Sequence, residues 1–224
     1  DKIIWSENAE NDILQKLAFT GRLQGDYYHF DDETAGSLSD FGWRRFRIGF
    51  KASLFKGITL HSEADLDLNN PEPLYNKLTD TYLSWTTEGG VKFKVGKQSA
   101  PFTLGGSTSS KKLYTLERGK IASNIWFSKE YFSGLTFSWQ KNKWEYLAGI
   151  YSSDHGPEFD EAFDYGCFGL FSLGYNFKEN LELDNALVRM AYVKQQDDVL
   201  SQTPAHKNVT SLVAKLDKGK THLW

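Results

Sequence analysis

Sulfur is nearly absent from this chain. One cysteine, Cys167, and one methionine, Met190, occur in 224 residues. No internal disulfide can therefore staple the fold, and both residues suit packing positions. No run of about 18 uncharged apolar residues exists, which excludes a helical membrane span. A basic excess is missing as well: 26 Lys and Arg stand against 29 Asp and Glu, for a net charge of −3. A nucleic-acid partner thus has little electrostatic support. Apolar residues make up only 40%, below the roughly 45–50% of an ordinary globular domain, although aromatics reach 15%.

What is present is alternation. Residues 1–16 (DKIIWSENAENDILQK) are polar with scattered Ile and Leu, and Ser6 or Asn8 suits the cap of a short helix running to Leu14. From Leu17 the period becomes two. Leu17, Phe19, Leu23 and Tyr27 alternate with Ala18, Thr20, Arg22, Gln24 and Asp26. Phe46, Ile48, Phe50, Ala52 and Leu54 then oppose Arg45, Arg47, Lys51 and Ser53. Ile58, Leu60, Ala64, Leu66 and Leu68 oppose Thr59, His61, Glu63, Asp65 and Asp67. Only strands send successive side chains to opposite faces, so each has one oily and one charged face. Further strands are predicted near 78–86, 91–98, 131–140, 143–152, 167–177, 181–195 and 208–217. In 143–152 and 181–195 both parities carry apolar residues, and the face assignment stays open.

The connections carry more information than the strands. Long ones are expected at 31–41, 69–77, 99–130, 153–166 and 196–207. Short ones fall between them, at Lys56-Gly57, 87–90, Lys141-Asn142, 178–180 and 218–220. Tight turns at one end and excursions at the other are the layout of an outer-membrane barrel. In hydrocarbon every backbone donor and acceptor needs an internal partner, so the sheet has to close on itself. Lipid then supplies the apolar surroundings and water fills the lumen, which accounts for the low apolar content. A soluble β-sandwich explains the alternation but not this rhythm, and it favours shorter strands. The fold expected is all-β: an antiparallel, up-and-down transmembrane β-barrel. Ten strands and the beginning of an eleventh at Thr221–Trp224 are counted. Bacterial single-chain barrels have even strand numbers, so the sequence is expected to be the N-terminal portion of a longer protein.

Three stretches resemble a known family. WRRFRIGFKASLFKGITLHSEADLD (43–67), TDTYLSW (79–85) and VGKQSAPFTLGGSTSSKKLYTLERG (95–119) are similar to the phosphate-selective porin O and P family. The most specific piece is Gly-Lys-x-x-x-Pro-Phe at 96–102, followed by Thr-Ser-Ser and then Leu-Glu-Arg. The resemblance implies a sixteen-stranded outer-membrane barrel, usually a homotrimer, embedded in outer-membrane lipid and lipopolysaccharide. It would pass small anions such as phosphate or pyrophosphate through a narrow throat, without cofactor or catalysis. Residues 1–16 would be an N-terminal periplasmic segment and 17–224 the first part of the barrel. The connection 99–130 would fold inward as the constriction; Pro101 and the Gly105-Gly106 pair suit a chain that leaves the wall and turns.

A throat for phosphate needs donors in fixed geometry. Guanidinium forks match phosphate oxygens in pairs, and lysine supplies a compact charge. Arg22 and Arg45 lie on the polar parity of their strands, and Arg44 sits beside Arg45 at the strand rim. By the resemblance, the anion site falls on Arg22, Arg44, Arg45, Asp80, Ser110 and Lys111. Asp80 would orient an arginine or accept from a protonated phosphate. Arg47, Lys51, Lys92, Lys94 and Lys112 would add positive charge to the lumen, with Lys97 beside them. Opposing this, Glu63, Asp65 and Asp67 share the polar face, and the stretch 154–164 (DHGPEFDEAFD) is strongly acidic. A general, non-selective porin is therefore a second reading, and a soluble carbohydrate-binding β-domain a weaker third.

Other constellations carry little. GGSTSSK (105–111) lacks the glycine before lysine that a phosphate-binding loop has, and DLDLNN (65–70) lacks the glycine and distal glutamate of a calcium loop. His155 with Glu158 and Asp160 is more simply a solvated group than a metal site. Asn208-Val-Thr is a chance glycosylation triplet. The five histidines are scattered, which leaves a barrel hydrolase without a visible nucleophile and base.

Overall fold

In the computed structural model the described residues are 2–34, 36–108, 131–154, 156, 158–160, 162–196 and 206–223. Thirteen strands are present among them, each pairing antiparallel with its neighbours as the register gives them. The chain divides into two compact units, residues 1–81 and 82–224, which are taken in turn.

The first unit contains β1 (Lys2–Glu7), β2 (Leu14–Asp32), β3 (Gly36–Leu54), β4 (Ile58–Leu66) and β5 (Tyr75–Leu78), paired in chain order. The helix expected up to Leu14 does not form. Lys2–Glu7 pairs with β2 instead, and Asn8 and Asn11 use their side-chain oxygens to cap the turn between them, accepting from the N–H of Glu10 and of Ile13. The expected loop 31–41 is also a strand. β2 and β3 each run 19 residues, or about 60 Å at ~3.3 Å per residue, twice the ~30 Å hydrocarbon thickness. Their distal halves form a two-stranded ribbon. Tyr28 donates to Asp40 at 3.1 Å, and Asp32 accepts the Thr34 N–H at the tip. This excursion is built of strand because Tyr27, Tyr28, His29 and Phe30 meet Phe41, Asp40, Ser39 and Leu38 in register, and aromatic cross-strand pairs are what stabilise a ribbon. At the opposite end, Phe55 and Lys56 both take positive φ. They open a three-residue hairpin loop, Phe55 to Gly57, that the Gly57 N–H closes on the Leu54 carbonyl at 3.2 Å, so the expected Lys56-Gly57 turn also takes in Phe55.

Burial in this unit is inverted relative to a soluble protein. Ile48 is 50% exposed, and Phe19, Leu23 and Phe50 are exposed with it, whereas Arg47 on the opposite face is only 9% exposed. Ile48 and Phe50 are left uncovered by the described residues, and Phe46 is half-buried.

The second unit runs β6 (Thr81–Thr86), β7 (Lys92–Gln98), β8 (Phe132–Lys141), β9 (Trp144–Ser152), β10 (Cys167–Asn176), β11 (Asn185–Gln195), β12 (Asn208–Lys218) and β13 (Thr221–Leu223). The expected strand 78–86 is broken at Thr79-Asp80. The strand expected from 181 begins at Asn185, because Lys178–Leu181 is a helical turn that ends on Glu182 in left-handed conformation. The ambiguous parities resolve. Ile150, Val188, Met190 and Tyr192 are exposed, while Tyr151, Leu187, Ala191 and Val193 are covered. A row of aromatics crosses the exposed face near the short turns. Trp85 stacks on Phe93, Phe93 meets Phe137, Trp139 stacks on Tyr146, and Trp144 meets Tyr175 edge-on at 4.7 Å. Such a girdle marks a membrane–water boundary.

The covered face of this unit holds something the low apolar content did not announce, a compact apolar cluster. Phe132, Tyr151, Phe168, Leu170, Ala191 and Val193 pack with Ala100 and Phe102. Gly134 and Gly149 make room for the Tyr151 ring: a Cβ on either would stand within 2.7 Å of a ring atom.

The exposed oily face predicts a depth-dependent penalty for charge. Ile48→Lys is expected to cost about 2–4 kcal/mol when the complete protein is unfolded reversibly from bilayers. Ser53→Lys on the covered face should cost a small fraction of that, and equal costs would contradict the assignment of faces.

Candidate functional site

In the first unit the polar face of β2, β3 and β4 is organised in cross-strand rows. Ala18 pairs with Lys51, and Lys51 with His61. Thr20 pairs with Gly49, and Gly49 with Glu63. Arg22 pairs with Arg47, and Arg47 with Asp65, which in turn faces Lys77 of β5. Two like charges directly opposite are unfavourable, and acidic partners on β4 offset them. Arg47 donates from Nε to Asp65 Oδ1 at 3.1 Å, and its Nη1 lies 3.7 Å from Glu63 Oε1. Thr79, fully buried, donates to the same Glu63 carboxylate at 3.2 Å. Asp80 follows it at half-burial, just ahead of β6.

The Arg44-Arg45 pair is explained by a bulge. Gln24 pairs with Arg45 and Gly25 with Trp43, so Arg44 is an extra residue opposite nothing. A bulge re-aims a side chain that strict alternation would send to the other face. Arg44 lies 3.4 Å from Asp26 with most of its side chain covered, and Arg45 donates to Gln24 Oε1 at 3.1 Å. Beside them is a cavity of about 190 Å³ lined by Arg44, Arg45, Asp65, Asp67, Asn69 and Asn76, among others. Four expected basic residues, Arg22, Arg44, Arg45 and Arg47, thus sit on one covered face, each within a register step or two of the next. The carboxylates weighed against them share it.

In the second unit Lys92 and Lys94 occupy alternate positions of β7, opposite Ser138 and Thr136. The Lys94 ammonium stands 4.5 Å from the centre of the Tyr82 ring. After β7 the chain turns onto the covered face: Phe102 is 3% exposed within the apolar cluster, and Thr103 caps a helical turn over Leu104–Ser107. Pro101 helps line a cavity of about 310 Å³ with Lys92, Ser138, Glu145, Ser172 and Arg189. Ser110, Lys111 and Lys112 lie outside the described residues, as does most of the stretch 109–130.

Arg189 was not singled out from the sequence. It lies on the covered parity of β11 and donates to Ser107 Oγ at 3.3 Å, so the described start of the 99–130 connection touches it. The missed signal was parity: Arg189 shares its face with Leu187, Ala191 and Val193, and Val188, Met190 and Tyr192 made the other face look equally apolar.

Chemically, these faces offer fixed guanidinium and ammonium donors next to carboxylates. Among the described residues no three His, Cys, Asp or Glu side chains gather to hold a metal ion. His155 of the candidate metal group falls outside them.

A family model described as phosphate-selective porin O and P matches residues 17–167. No curated protein matches the chain. The matched span takes in the arginine-bearing face and β7, and it stops short of Arg189.

Asp65 is the nearer carboxylate to Arg47, so its removal should shift the charge balance of this face toward positive. Asp65→Asn is expected to raise the chloride-over-potassium permeability ratio of the complete protein about twofold to fivefold in planar bilayers. A ratio unchanged by the substitution would show that Arg47 does not act on passing ions.

Proposed function

The chain belongs to the phosphate-selective porin O and P family, a family of outer-membrane porins, and on that premise we propose that it forms wall and throat of a passive channel for small anions. Phosphate, pyrophosphate or polyphosphate are the solutes this reading favours. The observation that carries it is the gathering of Arg22, Arg44, Arg45 and Arg47 on one covered face whose reverse side is oily. An anion leaving bulk water gives up part of its hydration shell, and guanidinium forks replace those contacts two at a time. Asp80, Ser110 and Lys111 join the arginines by resemblance. Lys51, Lys92, Lys94 and Lys112 extend the positive field along the path.

The connection 99–130 is the constriction in this proposal, and the burial of Ala100 and Phe102 against the covered face supports it. A segment held on the inner side of a barrel wall narrows the lumen without leaving backbone in lipid. The protein works as a homotrimer in outer-membrane lipid and lipopolysaccharide. No chemical step is involved: the channel lowers the electrostatic barrier for one sign of charge and raises it for the other.

A second reading has its own support. Asp65 and Glu63 flank Arg47, and Asp26 engages Arg44. Each such pair subtracts from the field an anion meets, and enough of them would leave a general porin.

Reversal potentials in a potassium chloride gradient separate the two. Wild-type protein is expected to be anion-selective, and Arg45→Ala should lower the anion-over-cation permeability ratio about threefold or more. Millimolar phosphate should also depress the chloride current. A wild-type reversal potential near zero, with chloride current indifferent to phosphate, would establish the general porin.

A further inference from the structure

We propose that Lys97 is a positioning residue that ties the acidic excursion 153–166 to the root of the inward segment that begins at residue 99. Lys97 is 1% exposed, although it is a lysine at the end of a strand. Its ammonium donates to the backbone carbonyl of Glu158 at 2.9 Å and to that of Gly156. An ammonium that has given up its water holds its acceptors firmly, because letting go leaves a buried charge unmet.

The described residues around the Lys97 acceptors are held in turn. Asp154 takes the Gly156 N–H at 2.8 Å, Ser152 Oγ accepts from the N–H of Asp154 and of Phe163, and the Ser153 N–H reaches the Gly166 carbonyl at 3.0 Å. One residue after Lys97, the equally buried Gln98 accepts from Thr136 Oγ1 at 2.8 Å and donates to the Gly134 carbonyl. Thr136 in turn meets the Tyr151 hydroxyl at 2.8 Å. Phe102 then enters the apolar cluster. Within six residues the chain is thus fastened to the excursion by Lys97, to the wall by Gln98 and to the core by Phe102. This gives Lys97 and Phe102 of the motif a common purpose.

The consequence is that Asp154, Glu158, Asp160 and Asp164 stay in one place relative to the inward segment. That this steadies permeation rests on the channel reading above; the tether itself does not.

Two variants of the complete protein test it: Lys97→Met, which keeps the stem and removes the charge, and Lys97→Arg, which restores a cation. Assembly is checked by heat-modifiable gel migration, and cleavage at Glu158 by a glutamate-specific protease is timed. The Met variant is expected to be cut about tenfold faster than wild type and to show greater open-channel current noise at an unchanged reversal potential. The Arg variant should be cut more slowly than the Met variant. Equal cleavage of Met variant and wild type, or no rescue by arginine, would overturn the proposal. Should Lys97→Met fail to assemble, Lys97→Gln takes its place in the cleavage assay: faster cutting than in the Lys97→Arg variant supports the tether, and equal cutting refutes it. A wild-type channel without anion selectivity would sink the channel reading and leave the cleavage result standing.

Discussion

A backbone N–H or C=O that enters hydrocarbon without a partner costs several kcal/mol, and this demand organises the chain more than any side-chain contact does. Antiparallel pairing from β1 to β5 in one unit, and from β6 to β13 in the other, supplies those partners. Once the backbone is satisfied in this way, alternation leaves each strand two faces for two solvents. Ile48 and Phe50 stand out from the sheet while Arg47, next to Ile48 in sequence, is covered. In water that pattern would be destabilising. It becomes favourable only when lipid meets the oily face, and the aromatic row from Trp85 to Tyr175 marks where that lipid gives way to water.

The same alternation determines what the covered face can do. Charge placed there is kept from lipid by geometry, so arginines can gather on it. The chain supplies carboxylates anyway, and the 3.1 Å contact between Arg47 and Asp65 is close and largely shielded from solvent. Such a pair positions the guanidinium at the expense of its net field. Arg45 is positioned in part by a bond to the Gln24 amide oxygen. The bulge at Arg44 adds a further cation to the same face at the cost of one unpaired backbone step. Positioning and field strength therefore compete residue by residue on this face.

Most of the fold was legible because period-two alternation is a direct signature of a two-solvent sheet. Phe46, Ile48 and Phe50 against Arg45, Arg47 and Lys51 needed no further context. Misreadings arose where local composition imitated another element. Ser6 and Asn8 look like helix caps, but Ile3 and Ile4 found a neighbour in β2. The stretch 31–41 looks like a loop because of its Asp, Gly and Ser, yet Leu38 and Phe41 pair across a ribbon with Phe30 and Tyr27. The basic cluster of the first unit was visible as residue types, whereas its register was not: the row from Arg22 through Arg47 to Asp65 depends on pairing that no single strand encodes. Arg189 and the tether of Lys97 were hidden for the same reason, since both depend on elements some 60 to 80 residues away in the chain.

The two faces of β3 can be read directly by site-directed spin labelling. With Cys167 replaced by serine, single labels at positions 45 to 51 of the complete protein in bilayers report collision with lipid-dissolved oxygen and with a water-soluble nickel chelate. Labels at 46, 48 and 50 should collide with oxygen and those at 45, 47 and 51 with the chelate, alternating at every step. Uniform accessibility along the strand, or the opposite alternation, would contradict a sheet that presents its oily face to lipid and its arginines to water.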